Sequence, residues 1–269
     1  MSTFQQLWNS ADSTSISLSK SARKALASRK TTAMFFSSSS NTSDLLSIGS
    51  MICILFVFSL GPLAYQLTER LLPRRVASQK YRYLFMWHAF DALIHIIIEG
   101  SFLYECFFSY ANASGTPPYF LGSRRRLYGP AFGKLPTARL WQEYAKADTR
   151  WATSDPTVVS IELLTVLVGG PLAVYACYLI RAMHMSRSGS AKSRFWTVAT
   201  VLATMELYGG FMTFAPELLT LCSRLDWKNP VYLVLYLFVF NGIWVVCPVL
   251  VLREACAAIQ SVFRAQQKF

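Results

Sequence analysis

YLFMWHAFDALIHIIIEGSFLYECF, residues 83–107, is apolar enough to cross a bilayer and yet carries His88, Asp91, His95 and Glu99. Their spacings of three, four and four place all four side chains on one face of a helix. A charged side chain near the middle of a membrane helix costs about 2.5–3.5 kcal/mol on insertion scales, so a stripe of this kind reads as an active or binding face.

The rest of the chain fits that reading. Of 269 residues, 53% are hydrophobic and 15% charged, and the mean hydropathy is +0.33, the composition of a membrane protein. The net charge of +12 does not point to nucleic acid, because the 26 Lys and Arg lie almost entirely between apolar segments, where juxtamembrane basic residues belong. The six cysteines form neither a CxxC pair nor a zinc spacing and read as small buried hydrophobes.

Five apolar segments, near residues 46–68, 83–107, 156–181, 195–219 and 231–254, are each about the ~20 residues a helix needs to span hydrocarbon. The expected fold is an all-α membrane protein, a bundle of five transmembrane helices around a polar intramembrane cavity. Three parts are expected: a Ser-rich, basic, disordered tail over residues 1–44, the membrane domain over 45–255, and a C-terminal tail over 256–269. The first part also has the composition of a cleavable transit peptide. Densely basic loops 69–82 and 182–194 are expected to face the cytosol, which places the sequons at Asn41 and Asn112 on the lumenal side.

Polar residues recur inside the apolar segments. Glu162 and Thr165 lie three apart, Glu206 and Tyr208 share the fourth segment with Glu217 near its end, and Asn241 and Trp244 again lie three apart. Asp91 is expected to pair with His88 or His95, His88 to pack, and Glu105 and Glu254, near segment ends, to be solvated. Carboxyl groups beside a histidine in an apolar site can donate and abstract protons, because burial favours the neutral acid. Trp and Tyr faces stabilise a cation. A metal site is the competing reading, with His95 and Glu99 as two ligands, but the remaining histidines, His88 and His184, do not complete it, and no ExxH pair occurs. No cofactor or metal is therefore expected, and no glycine motif for nucleotides is present.

WHAFDALIHIIIEG (87–100), LWQEYAKADTRW (140–151), the Glu162–Thr165 segment running into GGPL, ELYGG (206–210) and NGIWVVCPVLVL (241–252) occur in this order. Together they resemble the emopamil-binding protein family, or EXPERA domain, over about residues 50–255. The resemblance implies an endoplasmic reticulum membrane protein that moves the Δ8 double bond of a 3β-hydroxysteroid to Δ7 without a cofactor. A proton is added at C9, a cation forms at C8 and a proton leaves C7. By the same resemblance His95, Glu99 and Glu162 are catalytic. Thr165, Asn241 and Trp244 serve the sterol, with Thr165 and Asn241 orienting the carboxylates and Trp244 facing the cation; Tyr208 and Asp91 are added as substrate-binding. Glu143 and Asp148 either close the site or pack with Arg150. Gly210 stands where the isomerase pattern has Asp, which leaves a paralogue acting on another polycyclic terpenoid as one alternative. A non-catalytic binder of sterols and amines, like the sigma-2 receptor branch, is the other. The implied partners are a sterol or terpenoid and the lipid bilayer, with no nucleic acid, and the oligomeric state is left open, a homodimer included.

Overall fold

Local sequence accounts for most element boundaries in the computed structural model, which describes residues 48–115, 117, 119–185 and 189–267. The segment 1–44 and Asn41 lie outside the described residues. Helix α1, Ile48–Leu71, stops just before Pro73. Helix α2 runs continuously over residues 79–108. Strands β1, Tyr110–Asn112, and β2, Arg126–Tyr128, pair antiparallel with Tyr110 opposite Tyr128. This small ribbon departs from the all-α expectation. After the short helix α3, Pro136–Tyr144, come α4, Pro156–Met185, α5, Gly189–Leu219, and α6, Tyr232–Gln266. Asp155 caps α4 by accepting from the backbone N–H of Thr157 and Val158 at 3.0 and 3.2 Å, with Pro156 as its first residue. The segment expected as a C-terminal tail is helical as far as Gln266.

Helices α1, α4, α5 and α6 are long and apolar enough to cross a membrane, which makes the chain a mostly helical, multi-pass membrane protein. Helix α2 has the length, but charged residues interrupt its apolar run, Asp91, Glu99 and Glu105 in its middle and second half, and it is not among these four.

Three of these helices widen into π turns, at Ile94–Glu99, Thr165–Gly169 and Tyr232–Val239. Each ends on a five-residue step: the N–H of Gly100, Gly170 and Phe240 donates to the carbonyl of His95, Thr165 and Leu235. In α4 the cause is local, because Pro171 has no N–H with which to close an α turn onto Leu167. Two of the three turns carry His95, Glu99 and Thr165.

An alanine-rich core, with Ala89, Ala176, Ala199 and Ala203 around Phe85 and Phe195, lets α2, α4 and α5 approach closely at one end. At the other end residues 109–155 fold back over the helices. Trp141 and Trp151 stack with ring centres 4.9 Å apart, and the Trp141 Nε1–H donates to Ser101 Oγ at 2.9 Å. That fold-back buries Glu105, contrary to the expectation of solvation. Its carboxylate accepts from the Ser109 and Thr137 hydroxyls, and Gly133 leaves the space it occupies. Glu254 keeps partial exposure and pairs with Lys80.

A buried clasp ties the fold-back to α5. Arg150 holds Asp148 through Nε and Nη2, at 2.9 and 2.6 Å, and its Nη1 donates to the Thr213 carbonyl at 2.8 Å. Glu217 approaches Arg150 at 3.6 Å and also accepts from the Arg224 N–H at 3.0 Å. Burial opposes the Arg150 charge, but Asp148, followed by Glu217 and Asp155, more than offsets it and holds the guanidinium above its ordinary range.

Candidate active site

Between α1, α2, α4, α5 and α6, beneath the fold-back, lies a cavity of about 850 Å³ with walls that are mainly aliphatic and aromatic. This is within the usual span of pockets for drug-sized ligands, roughly 300–1,000 Å³. A cluster of its polar groups lies around His95. His95 is the centre: Nδ1 lies 2.6 Å from Glu99 Oε2 and Nε2 lies 3.0 Å from Asp91 Oδ1. The Thr165 hydroxyl donates to the same Glu99 oxygen at 2.6 Å. Glu162, one turn before Thr165 on α4, stands beside Glu99 and is buried, with its Oε2 free of any hydrogen bond. The close approach of α4 to α2 depends on glycine. A Cβ on Gly170 would meet Ile96 at 2.9 Å and His95 at 3.4 Å.

The expected residues separate into groups. His95, Glu99, Glu162 and Thr165 are brought together on the cavity wall, and Trp244 and Asn241 reach it from α6. Trp244 packs against Trp87 and Phe90, each with ring centres 5.9 Å away, and its Nε1–H donates to Asp91 Oδ1 at 2.9 Å. Asn241 does not orient a carboxylate. Its Nδ2 donates to the Tyr144 hydroxyl and to the carbonyls of Tyr236 and Leu237, at 2.9–3.0 Å. Those carbonyls lie in the π turn of α6, where the wider ladder leaves acceptors unpaired.

Two residues expected to bind substrate lie off the cavity wall. Tyr208 is 57% exposed on the outside of α5, because it is two residues from the inward Glu206 and so about 200° around the helix. Asp91 is fully buried and does not line the cavity; it lies behind His95 and Trp244. His88 packs edge to face on Phe195, with ring centres 5.9 Å apart, as expected of a packing residue. Glu143 lines the cavity and pairs with Lys146, whereas Asp148 belongs to the Arg150 clasp.

Sequence reasoning left Glu206 and Tyr144 out of the site. Glu206 is buried and lines the cavity, and one atom from each of Asp91, His95 and Glu206 lies within 4.8 Å of the others. The available signal was a carboxyl inside an apolar span, since such groups turn inward. The arrangement suits proton transfer: two adjoining carboxyl groups, an imidazole bonded to one of them, and an apolar cavity that keeps water from competing.

The sequence pattern described as EXPERA (EXPanded EBP superfamily) matches residues 136–255. A probable 3-beta-hydroxysteroid-Delta(8),Delta(7)-isomerase of Oryza sativa subsp. japonica is 31% identical over 195 residues, 69% of this chain and 73% of the relative. The 3-beta-hydroxysteroid-Delta(8),Delta(7)-isomerase of Cavia porcellus is 28% identical over 60% of this chain and 58% of its own length. A protoglabretal synthase of Ailanthus altissima is 28% identical over 71% of this chain and 74% of its own. With that identity over nearly three quarters of the rice relative, this chain belongs to the EXPERA family.

Proposed function

We infer that this protein is a cofactor-independent isomerase that shifts a ring double bond in a sterol, Δ8 to Δ7, by protonation, carbocation formation and deprotonation. One observation carries the reading: His95, Glu99 and Thr165 form a hydrogen-bonded wall, with Glu162 beside Glu99, on a largely apolar cavity of sterol-accommodating size. Glu162, together with His95, delivers the proton to C9. Glu99, its carboxylate oriented by Thr165, faces the cation and takes the proton from C7. The contact between the two carboxyl groups then returns that proton to Glu162. Trp244 offers the cation its ring face. In this reading α2 is a fifth membrane crossing whose polar stripe is shielded by its neighbours, the cavity lies within the bilayer, and the protein resides in the endoplasmic reticulum.

Isomerases among the relatives support the sterol; a protoglabretal synthase, together with Gly210 at the isomerase Asp position, favours a second substrate reading, another polycyclic terpenoid. The test is turnover of a Δ8 sterol by detergent-solubilised protein in D2O. A Δ7 product with one solvent deuterium is expected, and Glu99→Gln and Glu162→Gln are expected to form almost none. Full activity in both variants would overturn the assignment of the wall, and sterol returned unchanged and unlabelled by the wild type would turn the search to terpenoids.

A further inference from the structure

Behind the cavity wall lies a second pair of carboxyl groups that the reaction above does not use. Asp91 is fully buried on α2; Glu206 on α5, 4% exposed, comes within 4.8 Å of it, and neither Glu206 carboxyl oxygen has a hydrogen-bond partner among the described residues. Asp91 accepts from the Trp244 Nε1–H at 2.9 Å, and the same oxygen lies 3.0 Å from His95 Nε2. The titratable groups facing this pair are His88, His95 and Glu99 on α2, Cys177 on α4 and Cys247 on α6. Among the described residues no Lys or Arg joins them.

Proton counting constrains the pair. An ionised carboxylate only accepts, and a neutral imidazole has one N–H, so with Glu99 2.6 Å from Nδ1 and Asp91 3.0 Å from Nε2 only an imidazolium presents a proton to each carboxylate. Two carboxylates in contact inside a low-dielectric core do not both ionise, and Glu206 has no other donor to hold. We propose that Asp91 and Glu206 share a single proton and act as a positioning pair, holding His95 doubly protonated and fixing the indole of Trp244. The site then keeps a positive charge beside Glu99 and Glu162 at the moment both are ionised, after C9 has been protonated and before C7 has lost its proton. The electron count is unchanged; the shared proton stays in the pair and is not consumed.

This inference rests on the isomerase reading, so its test has one arm that does not need turnover. Infrared spectra of the full-length protein in D2O are expected to contain the C=O stretch of a protonated buried carboxyl that disappears in Glu206→Gln and persists in Glu162→Gln. A wild-type spectrum retained in Glu206→Gln overturns the pair, whether or not any sterol turns over. The second arm is kinetic. Asp91→Asn removes the anion at Nε2, so His95 loses its second proton at lower pH. The high-pH fall in kcat is expected to begin at least about one unit lower, and kcat at its optimum to drop roughly ten- to a hundredfold, the loss of one charge-assisted hydrogen bond, with KM little changed. A rise in KM with an unmoved pH profile would mark Asp91 as merely structural and overturn the proposal. Should Glu206→Gln fail to fold, the infrared band is read in Glu206→Leu, where its retention is equally fatal.

Discussion

Thr165 and Tyr208 show how far one side chain's surroundings differ from its sequence neighbourhood. Thr165 gives its proton to Glu99 at 2.6 Å and so aims the carboxylate. Thr165→Val, close in shape but without the hydroxyl, is expected to lower kcat about tenfold, the value of one hydrogen bond to a charged group, while Thr165→Ser restores most of it. Steady-state turnover checks both. Tyr208 faces outward, and Tyr208→Phe is expected to change kcat/KM by no more than about twofold, the ordinary effect of an exposed substitution. Loss of activity there would contradict the placement of Glu206 as well, since both ride on one helix. The stripe from His88 to Glu99 was legible because its spacing is helical. That Asp91 lies behind the wall was not, because a helical face is wide enough to touch two different neighbours.

Helices α2, α4 and α6 each widen beside the cavity, and α4 meets α2 through Gly169 and Gly170. Adding a branched side chain at that crossing displaces Ile96 and His95. Gly170→Val is expected to destabilise the protein by about 1–3 kcal/mol, the usual penalty of overpacking, and to abolish turnover. Thermal unfolding of the detergent-solubilised protein measures the first, and the sterol assay the second. The helical segments themselves were evident from hydropathy, and Asp155-Pro156 announced the start of α4. The π turn of α6 was hidden, because its Asn241 partners lie four and five residues back and only the folded ladder leaves those carbonyls open.

The whole molecule is closed by the Arg150 clasp between the fold-back and α5. Arg150→Met would leave Asp148 and Glu217 buried without their cation, and a loss of about 3–5 kcal/mol is expected, read as a lowered unfolding midpoint. If α2 is a crossing, reporter fusions ending at residue 76 and at residue 117 will report opposite sides of the membrane; the same side for both would remove the fifth span. Hydropathy, helical spacing and turn residues are properties of adjacent residues, which is why the helical segments, the His95–Glu99 face and the Glu162–Thr165 pair could be read directly along the chain. Burial and hydrogen-bond partnership depend on neighbours contributed from elsewhere. Glu105 is enclosed by Thr137 and Gly133, Trp244 is held by Asp91 from another helix, and Glu206 rather than Tyr208 turns inward because α2 lies on that side of α5. Those choices arose only when the helices packed, since no local pattern encodes which face of a helix will meet a partner.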